Sequence, residues 1–185
     1  MYLSKGMVLK PSTEELLFVT RCGNDFQLTG NLADLWLDGR FGFVQETEDQ
    51  LFNLQRLQRM GLVECAESKD SVSKYRVLTQ CVICAAKPTH TWYILNKQES
   101  EMLKWIRYAG LRLTTAELVF LHEHRIHPID SLLYAENRQE LTETIYTPAN
   151  IQDNLLEQEM EHSPARDETV RILLSLLKKK RILLV

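Results

Sequence analysis

The chain has 185 residues, 44% of them apolar and 25% charged, which is the make-up of a globular protein and excludes a disordered one. That length suits two domains of about 90 residues each. Net charge is −3 and neither half is basic, with 10 Lys and Arg against 11 Asp and Glu up to His90 and 12 against 14 beyond it, so any cationic surface for nucleic acid must be local.

In chain order, residues 14–22 read as a strand ending at Gly23, and DFQLTG follows as a short second strand. A helix capped by Asn31 then runs through Leu32, Leu35 and Trp36 and stops near Gly39. RFGFVQ connects it to a capping box, Thr47 through Gln50, in which hydroxyl and amide serve opposite orphan backbone groups. The box opens a helix that ends at Gly61, with Leu51, Leu54 and Leu57 as its buried stripe. Residues 62–66 and 74–85 are apolar or alternating, and the polar tip ESKDSVS lies between them, so they are expected to form a two-stranded wing.

Lys87-Pro88-Thr89 marks the expected boundary between a domain at 1–88 and one at 89–185. The second half is mostly helical. Asn96 and Glu99 open a helix carrying Met102, Leu103, Trp105 and Ile106 up to Gly110, and Thr114 and Glu117 open another. Pro128 breaks the chain, helical stretches follow over 131–145 and from Thr147-Pro148, and Ser163-Pro164 launches the last helix. The segment 128–162 is extra to a minimal domain and reads as an arm or a dimerisation element.

One pattern occurs twice. TEDQLFNLQRLQRMGLVEC at 47–65 and DETVRILLSLLKKKRILLV at 167–185 both run from a capping residue through a leucine-rich helix and a basic stretch into an apolar strand, with Leu54 aligned to Leu174 and Leu57 to Leu177. A leucine-rich helix feeding a strand resembles the third helix and first wing strand of a winged helix. The expected fold is therefore α+β: tandem winged-helix-like domains, the second mostly helical and enlarged.

The residues from ELLFVTRCG to LADLWLDGR, with Leu32, Trp36, Leu37, Asp38 and Gly39, and then Leu54, Leu57, Gly61, Leu62 and Val63, resemble the PqqD-like fold. That family is a small winged helix that recognises leader peptides. The resemblance implies a partner peptide added as a strand beside the sheet, in a groove against the third helix. The chain departs from the pattern at residues 41–46, where the second helix would start, and in its long helical second half.

Two sets of side chains are candidates for binding. Asn53, Arg56 and Arg59 recur on the outer side of helix 47–61 and offer the amide and guanidinium groups that base edges accept, although Glu48 and Asp49 occupy the first turn. Lys178, Lys179, Lys180 and Arg181 form the one dense basic run, placed either to grip phosphate or to complement a helix C-terminus, with Glu157, Glu159 and Glu161 as potential neutralisers. Cys81-Val-Ile-Cys84 sits in a strand-like run without the turn a zinc knuckle needs, and is expected to be structural. His122, His124 and His127 do not match HExxH; His124 and His127 would share a helix face that excludes His122. No nucleophile–base set or Gly-rich phosphate loop is visible, so the expectation is a non-enzyme without metal or cofactor, binding DNA as a regulator or else a protein or peptide partner as an adaptor. The N-terminal stretch lacks the apolar core of a secretory signal, no apolar run approaches a membrane span, and four cysteines make no disulfide framework; a cytoplasmic protein with reduced thiols is expected.

Overall fold

The computed structural model describes residues 1–9, 12–13, 16–87, 94–109, 113–133, 138–146 and 153–185. Pro88 and Thr89 of the expected boundary, Gly110, and the helix start at Thr147-Pro148 lie outside the described residues. The architecture is α+β, with short antiparallel sheets and helices around two apolar cores.

The first core is built on β2 (Met7–Val8), β3 (Leu16–Arg21) and β4 (Asn24–Thr29), paired in that order. Cys22 and Gly23 join β3 to β4 with φ of 50° and 82°, the left-handed pair that a type I′ hairpin turn requires. Alternation turns Leu17, Val19 and Leu28 inward. They meet Leu35 and Trp36 of α1 (Asn31–Asp38) and Leu54 and Leu57 of α2 (Leu51–Arg59). Gly30, at φ 49°, precedes α1, so Asn31 is its first residue and not its cap. The helix from the Thr47 box opens with a 3-10 turn at Glu48–Gln50, and the Gln50 side-chain oxygen accepts from the Thr47 N–H at 3.1 Å. A side chain on Gly39 would meet Ser4 Oγ at 2.6 Å and the Tyr2 ring at 2.7 Å, so the turn after α1 admits only glycine at that close approach.

The expected wing is not formed. β5 (Val63–Cys65) does pass out of α2, but residues Ser71–Thr79 are a helix, α3, where a strand from residue 74 was expected. The sequence KYRVL suits either period. Asp70 decides it, because its Oδ1 accepts from the Ser73 N–H at 2.7 Å and so caps a helix that buries Tyr75 and Leu78. β5 pairs instead with β1 (Tyr2–Ser4), in the register Tyr2 to Cys65 and Ser4 to Val63. β6 (Ile83–Ala85) pairs with β7 (Ile182–Leu184) near the other end of the sequence.

The second core gathers α3, β6, α4 (Lys97–Tyr108), α5 (Thr115–Glu123), α6 (Asp130–Leu133), α7 (Arg138–Ile145), α8 (Asp153–Glu161), α9 (Arg166–Lys178) and β7. The Asn96 and Thr114 boxes both close, with Asn96 Oδ1 accepting from the Glu99 N–H at 2.8 Å and Thr114 Oγ1 from the Glu117 N–H at 3.2 Å. α3 and β6 fall within the span 1–88 yet contribute Tyr75, Leu78 and Ile83 to this core.

β1 lies between the two cores. Tyr2 belongs to the first and Leu3 to the second, as side-chain alternation on one strand demands, and both are fully buried. Lys5, only 1% exposed, follows with its Nζ on Glu64 at 2.5 Å and on the Gln80 carbonyl at 3.4 Å. The Lys5 carbonyl accepts from Trp36 Nε1 at 3.0 Å, and the Gly6 N–H donates to the Leu184 carbonyl at 2.8 Å.

Candidate recognition surfaces

The outer face of α2 carries Arg56 and Arg59 in the open, while Asn53 is half-buried. The buried stripe is narrower than its leucine spacing suggested. Leu54 and Leu57 are buried, but Leu51 is 47% exposed and its neighbour Phe52 71% exposed. The face is thus mixed, with two guanidinium groups toward its C-terminal end and two large apolar side chains at its start. With α3 standing where a wing was expected, the segment 67–70 presents no basic strand tip, and its Asp70 is occupied as a helix cap.

The run Lys178 to Arg181 is not one open patch. Lys178 is exposed. Lys179 donates to both carboxylate oxygens of Glu99 at 2.7 Å and to the Ile94 carbonyl at 3.2 Å. Burial would raise the Glu99 carboxyl, but the bonds from Lys179, from the Ser175 hydroxyl at 2.6 Å and from the Asn96 N–H at 2.9 Å outweigh that and hold it at about 2. Lys180 adopts φ 55°, turning the chain from α9 into β7, and its ammonium lies 4.9 Å from the Phe41 ring centre. Arg181 is half-buried, its carbonyl taking the Ala86 N–H at 2.9 Å. The run is a helix-to-strand joint that ties α9 to α4 and to the first half. Glu161 does not neutralise it, because Glu161 holds Arg76 through two bonds of 2.7 and 3.0 Å.

A different surface stands out on the first half. β4 ends the three-stranded sheet, so one side of it is unpaired by any strand among the described residues. The Phe18 carbonyl turns toward β2, where it accepts from the Leu9 N–H at 2.8 Å. Backbone groups alternate along an antiparallel strand, so Leu17, Val19 and Arg21 bond to β4 through Leu28, Phe26 and Asn24. That leaves the backbone of Asp25 and Gln27 directed away from the sheet. Both side chains are exposed; α1, which packs against β4, carries exposed Leu37, and α2, which packs on α1, carries exposed Leu51 and Phe52. An edge with free amides is a template for another strand. The sequence signal for it was the residue–glycine turn at 22–23, which sets the register; that β4 would be the edge depends on long-range pairing.

Cys81 is buried, its thiol donating to the Val77 carbonyl at 3.2 Å and pushed by that burial up to about 12, so it is inert. Cys84 is half-buried in β6, while Cys22 and Cys65 are exposed. The histidines are arranged differently from the helical expectation. α5 ends at Glu123, Arg125 takes φ 53°, and the reversal brings His127 to the side of His122, while His124 stacks on Phe120 at 4.2 Å. Among the described residues no group of three or more His, Cys, Asp or Glu is placed to hold a metal ion, and no helix is long and apolar enough to cross a membrane. No family model, curated protein or solved structure matches the chain.

Proposed function

We propose that the chain is a non-enzymatic recognition protein whose first half takes an extended segment of a partner polypeptide as an added strand on β4. The observation that carries this reading is the open edge of β4, with the amides of Asp25 and Gln27 facing outward. Strand addition draws affinity from main-chain hydrogen bonds and selectivity from side-chain contacts. The β4 edge supplies the main-chain groups, and Leu37, Leu51 and Phe52 are the exposed large apolar side chains of α1 and α2. The PqqD-like resemblance of the same residues supports it. The tandem winged-helix reading draws support from the two helix–strand units, since α2 leads to β5 paired on β1, and α9 leads to β7 paired on β6. Regulation through DNA has less support. Arg56 and Arg59 are free to approach a groove, but Lys179 and Lys180 are engaged within the protein and no basic wing accompanies α2.

The test exploits the direction of one amide. Gln27→Pro removes an N–H that takes no part in the β3–β4 ladder, a position where an edge strand tolerates proline. Peptides selected from a random display library on the wild-type protein are expected to carry an alternating apolar pattern and to lose at least roughly tenfold in affinity for Gln27→Pro, which melts near the wild type. Peptides that bind both proteins equally would remove β4 from the mechanism. Duplex DNA binding that weakens steeply with salt, and less steeply in Arg56→Ala/Arg59→Ala, would return the regulator to first place.

A further inference from the structure

α4, α5 and α9 enclose a cleft of 530 Å³ in the second half, within the size range of small-molecule sites. Each helix gives it one stripe at three- and four-residue spacing. The floor is apolar: Met102 and Trp105 come from α4, Leu118 from α5 and Ile172 from α9, all buried. The rim is acidic. Glu101 of α4, Glu168 of α9 and Glu123 at the end of α5 all line it. Two cations belong to the same rim, Lys97, which lies 4.0 Å from Glu101 and is 84% exposed, and exposed Arg125.

The polar groups of the cleft leave acceptors unserved. Glu168 Oε1 accepts from Gln98 Nε2 at 2.6 Å and from Arg171 at 3.3 Å. Its Oε2 faces His122 Nε2 at 3.7 Å, too far for a direct hydrogen bond. The His122 ring cannot close that gap by turning, because its Nδ1 is held 2.8 Å from the hydroxyl of fully buried Thr169. Glu123 Oε2 is buried and has no hydrogen-bond partner, a condition that costs free energy until a donor arrives. His127 Nδ1 stands 3.4 Å from Glu101 at the mouth.

We propose that this cleft binds a small organic cation, an aromatic or branched alkyl body carrying one ammonium group. The body lies on Met102, Trp105 and Leu118. The ammonium donates to Glu168 Oε2 in the space before His122, with Glu101 and Glu123 supplying the surrounding negative charge and Trp105 an aromatic face. The site is separate from β4 and does not depend on strand addition there.

Isothermal titration of the full chain with tryptamine, phenethylamine and isopentylamine, beside indole-3-propionate as a ring-matched anion, tests it. At least one amine is expected to bind saturably with Kd at or below about 1 mM, and the anion to bind at least roughly tenfold more weakly. Glu168→Gln should weaken the amine by about tenfold or more, and Ile126→Trp, which fills the mouth of the cleft, should abolish binding. Melting curves establish that each variant is folded; if Glu168→Gln is not, Glu123→Gln carries the same expectation. Absence of binding by all three amines up to about 10 mM, equal binding of amine and anion, or an amine affinity unchanged in the folded carboxylate variant would each overturn the proposal.

Discussion

Glu99 shows how far a single residue could be read from sequence. Its role as the reciprocal partner of the Asn96 cap was legible, because three-residue spacing encodes it. Its bond to Lys179 was not, because the two are 80 positions apart and Lys179 looked like one of four equivalent basic residues. The pair sets an acid limit. Glu99 ordinarily titrates near 4.5 and is held at about 2 in the fold. A depressed carboxyl contributes its full stabilisation above its unfolded value, and loses it as pH falls from there through the folded one. The expected result is that stability, followed by urea titration, declines between pH 4.5 and 2, and that Glu99→Gln flattens that decline. Lys179→Ala, which leaves a carboxylate 4% exposed without its partner, should cost about 3 kcal/mol at neutral pH.

At the scale of elements, legibility followed whether the signal was local. The β3–β4 hairpin, α2 and the openings of α4 and α5 rest on turns and caps within a few residues and stand where the sequence puts them, whereas α1 stands there without the cap expected from Asn31. α3 was misread because KYRVL satisfies both periods, and β1 was not anticipated because three residues carry no periodicity. The cleft between α4, α5 and α9 had no sequence signature, since its stripes come from three separated segments. Asp70 is the local determinant that separates helix from strand at 71–79. Asp70→Ala is expected to lower the melting temperature by a few degrees and to reduce far-ultraviolet helical ellipticity, with Asp70→Asn retaining most of both because it keeps an accepting oxygen. An Ala variant indistinguishable from the wild type would mean that packing of Tyr75 and Leu78 alone selects the helix.

For the whole molecule, β1 is the member shared by both cores, with Tyr2 on one side and Leu3 on the other. Lys5 and Gly6 extend the seam to Gln80 and Leu184, and Lys180 reaches Phe41. The two halves should therefore unfold together. Variants retaining only Trp36, in the first core, or only Trp105, in the second, are expected to give coincident urea transitions. Leu3→Ala should destabilise both probes alike by about 3 kcal/mol. Separate midpoints would show two independently stable bodies.

The pairing of β6 with β7 has a consequence for synthesis. Ile83 waits for its register partner Leu184, and the Gly6 N–H waits for the Leu184 carbonyl, so neither contact exists until residue 184 has been made. At ~5–20 residues per second, β6 has emerged roughly 5–20 s before its partner. During that interval an apolar strand edge and the Leu3 side of β1 stand open, and a nascent-chain chaperone has its longest opportunity to engage them.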